Sequence, residues 1–174
     1  MRELDEGPRA AQLARLQNGF EGWLKVEFLL WLTRPDRAGL VLNDDVGVEY
    51  KFTMETEVGT DLRRKQCDLW IRSSNLARYH YVELKAPFAN SNRGKVIDSA
   101  AFDLRCLMQM HSKHEQAASG AAVIVGSRFS EPDWAYLLAR LASGAGIDLA
   151  QLQVSPAGVS QCGLRWVVWT HHFL

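Results

Sequence analysis

The chain has 174 residues, and 47% of them are hydrophobic, which is enough for one domain with a substantial core. It carries 20 basic and 20 acidic residues, so its formal net charge is zero, which excludes nucleic-acid binding through an overall basic excess. The sequence has neither an apolar run of about 18 residues nor the apolar segment of a signal peptide, so we expect a cytoplasmic protein that does not enter a membrane.

The first half of the chain predicts one helix and three strands. After a polar lead-in that ends at about residue 13, apolar residues recur at helical spacing. The expected inward face of this helix comprises Phe20, Trp23, Leu24, Glu27 and Trp31. Runs rich in β-branched and aromatic residues predict strands over residues 46–52, 67–72 and 79–86. The polar residues 73–75 predict a turn, so the last two strands form a hairpin.

The second half predicts a helix, a buried strand, a further helix and a last strand. Apolar positions at helical spacing over residues 96–108 indicate a crossover helix, and the apolar run 121–126 is typical of a central strand covered on both faces. The next helix begins after Ser130 as its N-cap and ends near Gly146. A last strand is predicted over residues 164–170.

The order αβββαβ, followed by a helix and a strand, predicts an α/β fold with a mixed central sheet flanked by helices. The strand, helix and strand around the crossover helix predict a right-handed parallel connection. No internal repeat or low-complexity tract divides the chain, so we expect one domain over residues 1–174, with its core at about residues 13–126.

Two acidic residues and a lysine fall on the predicted hairpin. Asp68 lies in one strand, while Glu83 and Lys85 alternate on one face of the next strand. Hard divalent cations such as Mg²⁺ take one or two protein carboxylates together with substrate phosphate. Such an ion activates water for attack on a phosphodiester, and a lysine can hold a phosphate oxygen or orient the water. The pattern therefore favours metal-dependent phosphodiester hydrolysis, against the alternative of a solvent-exposed cross-strand ion pair.

Glu27 is the only carboxylate in an otherwise apolar helical run. Its spacing places it with the apolar stripe, and a buried carboxylate is costly unless it is paired, hydrogen-bonded or bound to a metal. We expect Glu27 to complete a metal site, and the alternative is a pair with a buried Arg or Lys.

A helix with an inward glutamate, an aspartate in a strand, and Glu83 and Lys85 in the following strand together resemble the PD-(D/E)XK nuclease superfamily, which has the restriction-endonuclease-like fold. The resemblance covers about residues 20–125. It implies that Asp68, Glu83 and Glu27 bind Mg²⁺ or Mn²⁺, that Lys85 is the catalytic lysine, and that the activity is endonucleolytic cleavage of nucleic acid, usually DNA. Cys67 stands where members of this superfamily often have proline.

Basic residues are concentrated near the predicted hairpin and just after it, although the chain as a whole has no basic excess. They can contact phosphates, or they can be ordinary solvated surface charges. The candidate nucleic-acid contacts are Arg63, Arg64, Lys65, Arg72, Arg78, Asn92, Arg93 and Lys95. Cleavage of both strands of a duplex needs two active sites, so a homodimer is expected. The short chain leaves specificity to a protein partner or to DNA structure.

Cysteine and histidine residues point to no second chemistry. Three widely spaced cysteines in apolar segments predict reduced thiols: Cys67, Cys106 and Cys162. His111 and His114 lie near Cys106 in sequence, but their spacing does not suit a closed four-ligand zinc site. His171 and His172 are expected at the surface.

Two functions therefore remain open from the sequence. One is a metal-dependent endonuclease. The other is a catalytically silent binding module of the same fold, such as an immunity protein or a non-cleaving subunit of a nuclease complex, which recognises a protein or a nucleic acid.

Overall fold

The computed structural model of the chain describes residue 12 and residues 20–55, 62–73, 78–89, 92–110, 117–155 and 163–173. The predicted lead-in, most of the turn between the hairpin strands, His111, His114 and Cys162 lie outside the described residues.

The described residues contain three α-helices, six strands and one short 3₁₀-helix. The helices are α1 (Glu21–Thr33), α2 (Arg93–Met110) and α3 (Glu131–Ala145), and the 3₁₀-helix spans Leu149–Gln151. The strands are β1 (Val46–Glu55), β2 (Leu62–Arg72), β3 (Tyr79–Lys85), β4 (Ala117–Ser127), β5 (Leu152–Val154) and β6 (Leu164–His172).

All six strands belong to one mixed sheet with the order β1-β2-β3-β4-β6-β5. β1 and β2 are antiparallel, as are β2 and β3, so the predicted hairpin is confirmed. Phe88, which follows β3, and Ser127, the last residue of β4, form a parallel bridge, as a parallel crossover through α2 requires. The α/β class and the mixed sheet are thus confirmed, and the restriction-endonuclease-like core stays a prediction.

Helix α3 begins and ends where the sequence predicts. The Oγ of Ser130 accepts a hydrogen bond from the backbone N–H of Asp133 at 3.3 Å, which satisfies a free donor of the first turn. Gly146 follows the helix at φ 71°, in the left-handed region that glycine adopts without steric cost.

Strand β5 and the 3₁₀-helix are absent from the sequence prediction. β5 has only three residues, and its stability comes from antiparallel pairing of Leu152 with Trp169 in β6. A three-residue segment is too short for a periodic pattern, so only the tertiary pairing identifies it. The 3₁₀-helix has a local signal in Asp148, which caps it.

The chain divides into two compact units. The first comprises Met1–Leu24, Leu84–Phe102 and Val123–Trp169, and the second comprises Lys25–Glu83, Asp103–Ala122 and Thr170–Leu174. Fully buried side chains of the first unit include Leu24, Leu84, Ile97, Ile124, Leu137 and Leu141. Those of the second unit include Val46, Cys67, Leu69, Tyr81, Leu104 and Leu107. Each unit thus has its own apolar centre, and the single domain over residues 1–174 stays a prediction.

Within the described residues, no helix combines the length and the apolar character needed to cross a membrane.

Gly47 provides a test of the packing around β2. It pairs with Trp70, and a Cβ atom at Gly47 would lie 2.6 Å from the indole Cε2 and Nε1 atoms. Gly47→Ala must therefore displace the ring, and we expect it to lower the free energy of unfolding by about 1–3 kcal/mol in urea denaturation.

The matched control is Gly22→Ala, because an added Cβ at this exposed position of α1 meets nothing within 4 Å. Alanine favours the helical conformation, so the control should be neutral or more stable by up to about 1 kcal/mol. Equal stability of Gly47→Ala and the wild type would contradict the packing described for Trp70.

Candidate functional site

Asp68 lies at an irregular point of the pairing between β1 and β2. Val48 pairs with Leu69 and Tyr50 pairs with Cys67, so the register sets Glu49 opposite Asp68. Glu49 has a φ of 59°, in the left-handed region that residues other than glycine rarely adopt. Strained conformations of this kind cost free energy and persist only where the surroundings enforce them. Two acidic residues therefore meet at a point of backbone strain.

Lys25 of α1 provides the cation at this point. Its Nζ lies 2.8 Å from Oδ1 of Asp68 and 4.0 Å from Oε1 of Glu49. The side chains of Lys25 and Asp68 are only 20% and 13% exposed, so this ion pair is largely withdrawn from solvent. The sequence analysis did not identify Lys25, although it is the only basic residue of α1.

Glu83 lies in the middle of β3 and is buried. Leu69 of β2 pairs with Val82 of β3, so Asp68 and Glu83 each adjoin one residue of this pair. The pKa of the Cys67 thiol is raised to about 12, mainly by burial and to a smaller extent by the negative charges of Glu83 and Asp68. The two predicted carboxylates thus act electrostatically on the same side chain.

Helix α2 adds an acidic residue that the sequence analysis missed. Asp103 is buried, and its Oδ1 lies 2.6 Å from Nζ of Lys65 in β2. Burial raises the pKa of the Cys106 thiol to about 11; Lys65 acts to lower it, while Asp103 and Glu83 act to raise it. The sequence feature that could have identified Asp103 is its position as a carboxylate within the apolar stripe of α2. The same feature identified Glu27 in α1. In this arrangement Lys65, a predicted nucleic-acid contact, is paired with Asp103.

Lys85 lies in the first unit, two residues after Glu83 on β3. Its Nζ is 3.5 Å from Oε1 of Glu21 in the first turn of α1. The side chain of Lys85 is 14% exposed, compared with 40% for that of Glu21. The ammonium group is therefore held by a carboxylate that remains open to solvent.

Glu27 is half-buried in α1. The prediction that Trp31 faces inward is wrong, because this residue is 45% exposed. The buried face of α1 runs through Leu24 and Leu32 instead. In the part of the chain that the structure describes, no three or more His, Cys, Asp and Glu side chains form a group that could hold a metal ion. The role of Glu27 as a third metal ligand stays a prediction.

Several candidate nucleic-acid contacts take part in ion pairs or hydrogen bonds within the chain. Arg72 Nη2 lies 2.6 Å from Asp45 Oδ1, and Arg93 Nη1 lies 3.0 Å from Asp133 Oδ1. Both arginines keep about half of their side chains exposed, at 48% and 40%. Arg78 donates to a backbone carbonyl, Asn92 and Lys95 are exposed, and only the backbone of Arg63 and Arg64 is described.

Aromatic rings line the strands next to the carboxylates. The ring centroids of Trp70 and Tyr79 are 5.8 Å apart, and those of Tyr50 and Tyr81 are 5.1 Å apart. Burial raises the pKa of the Tyr81 hydroxyl, and so does its hydrogen bond with Tyr50. These contacts stabilise the packing of β1, β2 and β3, two of which carry Asp68 and Glu83.

A histidine and a serine form a separate polar contact in the second unit. His80 Nδ1 lies 2.8 Å from Oγ of Ser119, which is buried. Burial lowers the pKa of His80, and the charge of His172 lowers it further. A buried serine is out of reach of a substrate, so the contact satisfies two polar groups and does not form a nucleophilic site.

The remaining sequence predictions concern thiols and surface histidines. Cys67 and Cys106 are free thiols, and His171 and His172 are exposed, as predicted.

Comparisons of the chain with protein families, with curated proteins and with solved structures found no match. Its functional assignment therefore depends on its own residues.

The lowered pKa of His80 predicts a pH-dependent stability. Its ordinary pKa is 6.5, and the folded state has a lower one, so the unfolded chain takes up the proton first as the pH falls. The stability that neutral His80 contributes to the folded state is therefore present above pH 6.5 and is lost as the pH falls below it. We expect the free energy of unfolding of His80→Gln to fall less than that of the wild type between about pH 7 and about pH 5.

The control for this measurement is His171→Gln, which removes an exposed histidine. It should keep the wild-type dependence of unfolding free energy on pH. Parallel curves for all three proteins would show that burial of His80 does not govern acid stability.

Proposed function

We propose that this chain is a divalent-metal-dependent endonuclease that hydrolyses phosphodiester bonds of nucleic acid, with DNA as the expected substrate. The observation that carries the proposal is the position of Asp68 and Glu83, two carboxylates that adjoin the paired residues Leu69 and Val82 of neighbouring strands. Lys85, two residues beyond Glu83, supplies the amine that the same chemistry needs.

Asp68 and Glu83 fit the coordination chemistry of a hard divalent cation. Magnesium requires only one or two protein carboxylates, and it completes its shell with water and phosphate oxygens. When bound, Mg²⁺ or Mn²⁺ would supply an activated water and neutralise the charge that develops on the phosphate. Glu27 would extend this ligand set from α1, as the resemblance to the PD-(D/E)XK superfamily implies.

Lys85 would contribute a positive charge on the substrate side. Its side chain is largely withdrawn from water, which strengthens its attraction for a phosphate oxygen. Glu21 lies 3.5 Å from the ammonium group and its side chain is 40% exposed, so a phosphate that replaces this carboxylate could approach from the solvent side. Lys85 would then orient the attacking water or the scissile phosphate.

Substrate affinity would come from local positive charge, because the chain has no overall basic excess. Arg72 and Arg93 are half exposed, and their partners Asp45 and Asp133 are also accessible. Exposed ion pairs contribute little to stability, so these arginines can exchange carboxylates for phosphates at small cost. A homodimer would supply the two active sites needed to cut a duplex.

A second function is favoured by the lysines that neutralise the acidic residues. Lys25 holds Asp68 and Lys65 holds Asp103, so these charges have partners without a metal ion. The second unit also exposes apolar side chains on α1, including Val26, Leu30 and Trp31, at 45–51%. A catalytically silent binding module that recognises a protein or a nucleic acid would have both properties.

Cleavage assays distinguish the two functions. We expect the wild type to nick or cut supercoiled plasmid with Mg²⁺ or Mn²⁺, and to be inactive in EDTA. Asp68→Asn should lose metal binding, and Lys85→Met should lose the charge that positions phosphate or water. Each substitution should reduce the cleavage rate by about 100-fold or more.

Lys51→Met is the matched control, because it removes an exposed lysine of β1. It should cleave at the wild-type rate. Activity that persists in both Asp68→Asn and Lys85→Met would indicate a contaminant. If the folded wild type cleaves neither plasmid, linear duplex nor single-stranded DNA, the binding module is the better assignment.

A further inference from the structure

We infer that Lys25 is an internal cation that competes with the divalent metal for the negative charge of Asp68, so that metal binding displaces this lysine and its presence weakens the affinity for the metal. The inference rests on the proposed function, since it concerns the same metal site. It assigns to Lys25 a positioning role toward Asp68, without contact with substrate.

The position of the ammonium group is the first argument. Lys25 Nζ lies 2.8 Å from Asp68 and 4.0 Å from Glu49, on side chains that the β1–β2 register sets opposite each other. Like charges opposite each other on neighbouring strands repel, and a cation near both reduces the repulsion. A divalent cation bound to Asp68 would reduce it in the same way, so the two cations would perform the same electrostatic task.

The burial of the pair is the second argument. An ion pair between side chains that are 20% and 13% exposed is poorly screened, so each partner strongly favours the presence of the other. A metal ion bound to Asp68 repels the ammonium group held 2.8 Å from the same carboxylate, so metal binding weakens that contact. The free energy needed to break the Lys25–Asp68 contact makes the binding free energy of the metal less favourable.

The third argument is that a path exists for the exchange. Glu49 has a side chain that is 58% exposed, whereas Asp68 is nearly buried. Glu49 could therefore retain the departing ammonium group at the surface while Asp68 turns to the metal. Its unusual backbone conformation places this carboxylate beside Lys25.

The test is isothermal titration calorimetry of the metal-free full chain with MnCl₂. We expect Lys25→Met to bind Mn²⁺ about tenfold or more tightly than the wild type, because the competing cation is gone and the carboxylates attract the ion more strongly. Lys25→Arg keeps the positive charge and should not gain affinity. Lys51→Met loses an exposed positive charge of the same unit and should bind as the wild type does.

Thermal unfolding without metal provides an independent readout. Lys25→Met should have a lower Tm than the wild type, and saturating Mn²⁺ should raise its Tm more than it raises that of the wild type. If Lys25→Met fails to fold, Lys25→Gln, which keeps polar hydrogen-bonding capacity, takes its place in both measurements.

The outcomes separate this inference from the proposed function. Unchanged or weaker Mn²⁺ binding by Lys25→Met, with binding by the wild type, would overturn the role of Lys25 and leave the endonuclease proposal intact. Binding by Lys25→Met alone would support the competition in its strongest form. Absence of Mn²⁺ binding by every folded variant would overturn both.

Discussion

The structure depends on the neutralisation of carboxylates that the fold withdraws from water. Asp68 lies in β2 and Asp103 in α2, and both elements also carry buried apolar side chains. An unpaired charge in such surroundings is strongly destabilising. Lys25 and Lys65 each place an ammonium group within 2.8 Å of one of these carboxylates. The loss of either lysine would leave a nearly buried negative charge, a much larger cost than the loss of a surface ion pair.

The proposed nuclease would have two alternative arrangements around Asp68. In the structure, Lys25 neutralises Asp68. In the proposed nuclease a divalent cation would take over the carboxylate and Lys25 would be released. The same ion pair is therefore compatible with a binding module, in which it is permanent, and with an enzyme, in which it is exchanged. The two functions differ in whether the exchange occurs.

Local patterns were sufficient to predict much of the fold. Two runs rich in β-branched and aromatic residues with a polar turn between them predicted the hairpin, and Ser130 predicted the start of α3, because both signals depend on residues close in sequence. Asp68 and Glu83 were selected from their places on two adjacent predicted strands, and Glu27 as a carboxylate in an apolar run, whereas Asp103 was missed. β5 was not predicted because three residues are too few for a periodic pattern, and the strand is defined by its pairing with β6.

The partners of the carboxylates could not be predicted in the same way. Lys25 is separated from Asp68 by more than forty residues, and Lys65 from Asp103 by 38, so only the packing of α1 and α2 makes them neighbours. The orientation of α1 was also underdetermined. Leu24, Leu32 and Trp31 are all apolar, and their burial differs because the helix packs through one side of a broad apolar surface.

A crystal structure of the chain with MnCl₂, with an anomalous difference map, tests the central claim most directly. The account predicts one strong peak beside the carboxylates of Asp68 and Glu83, with Lys25 Nζ displaced from Asp68. A map without a peak at these residues, in crystals where Lys25 still contacts Asp68 at saturating Mn²⁺, would contradict it.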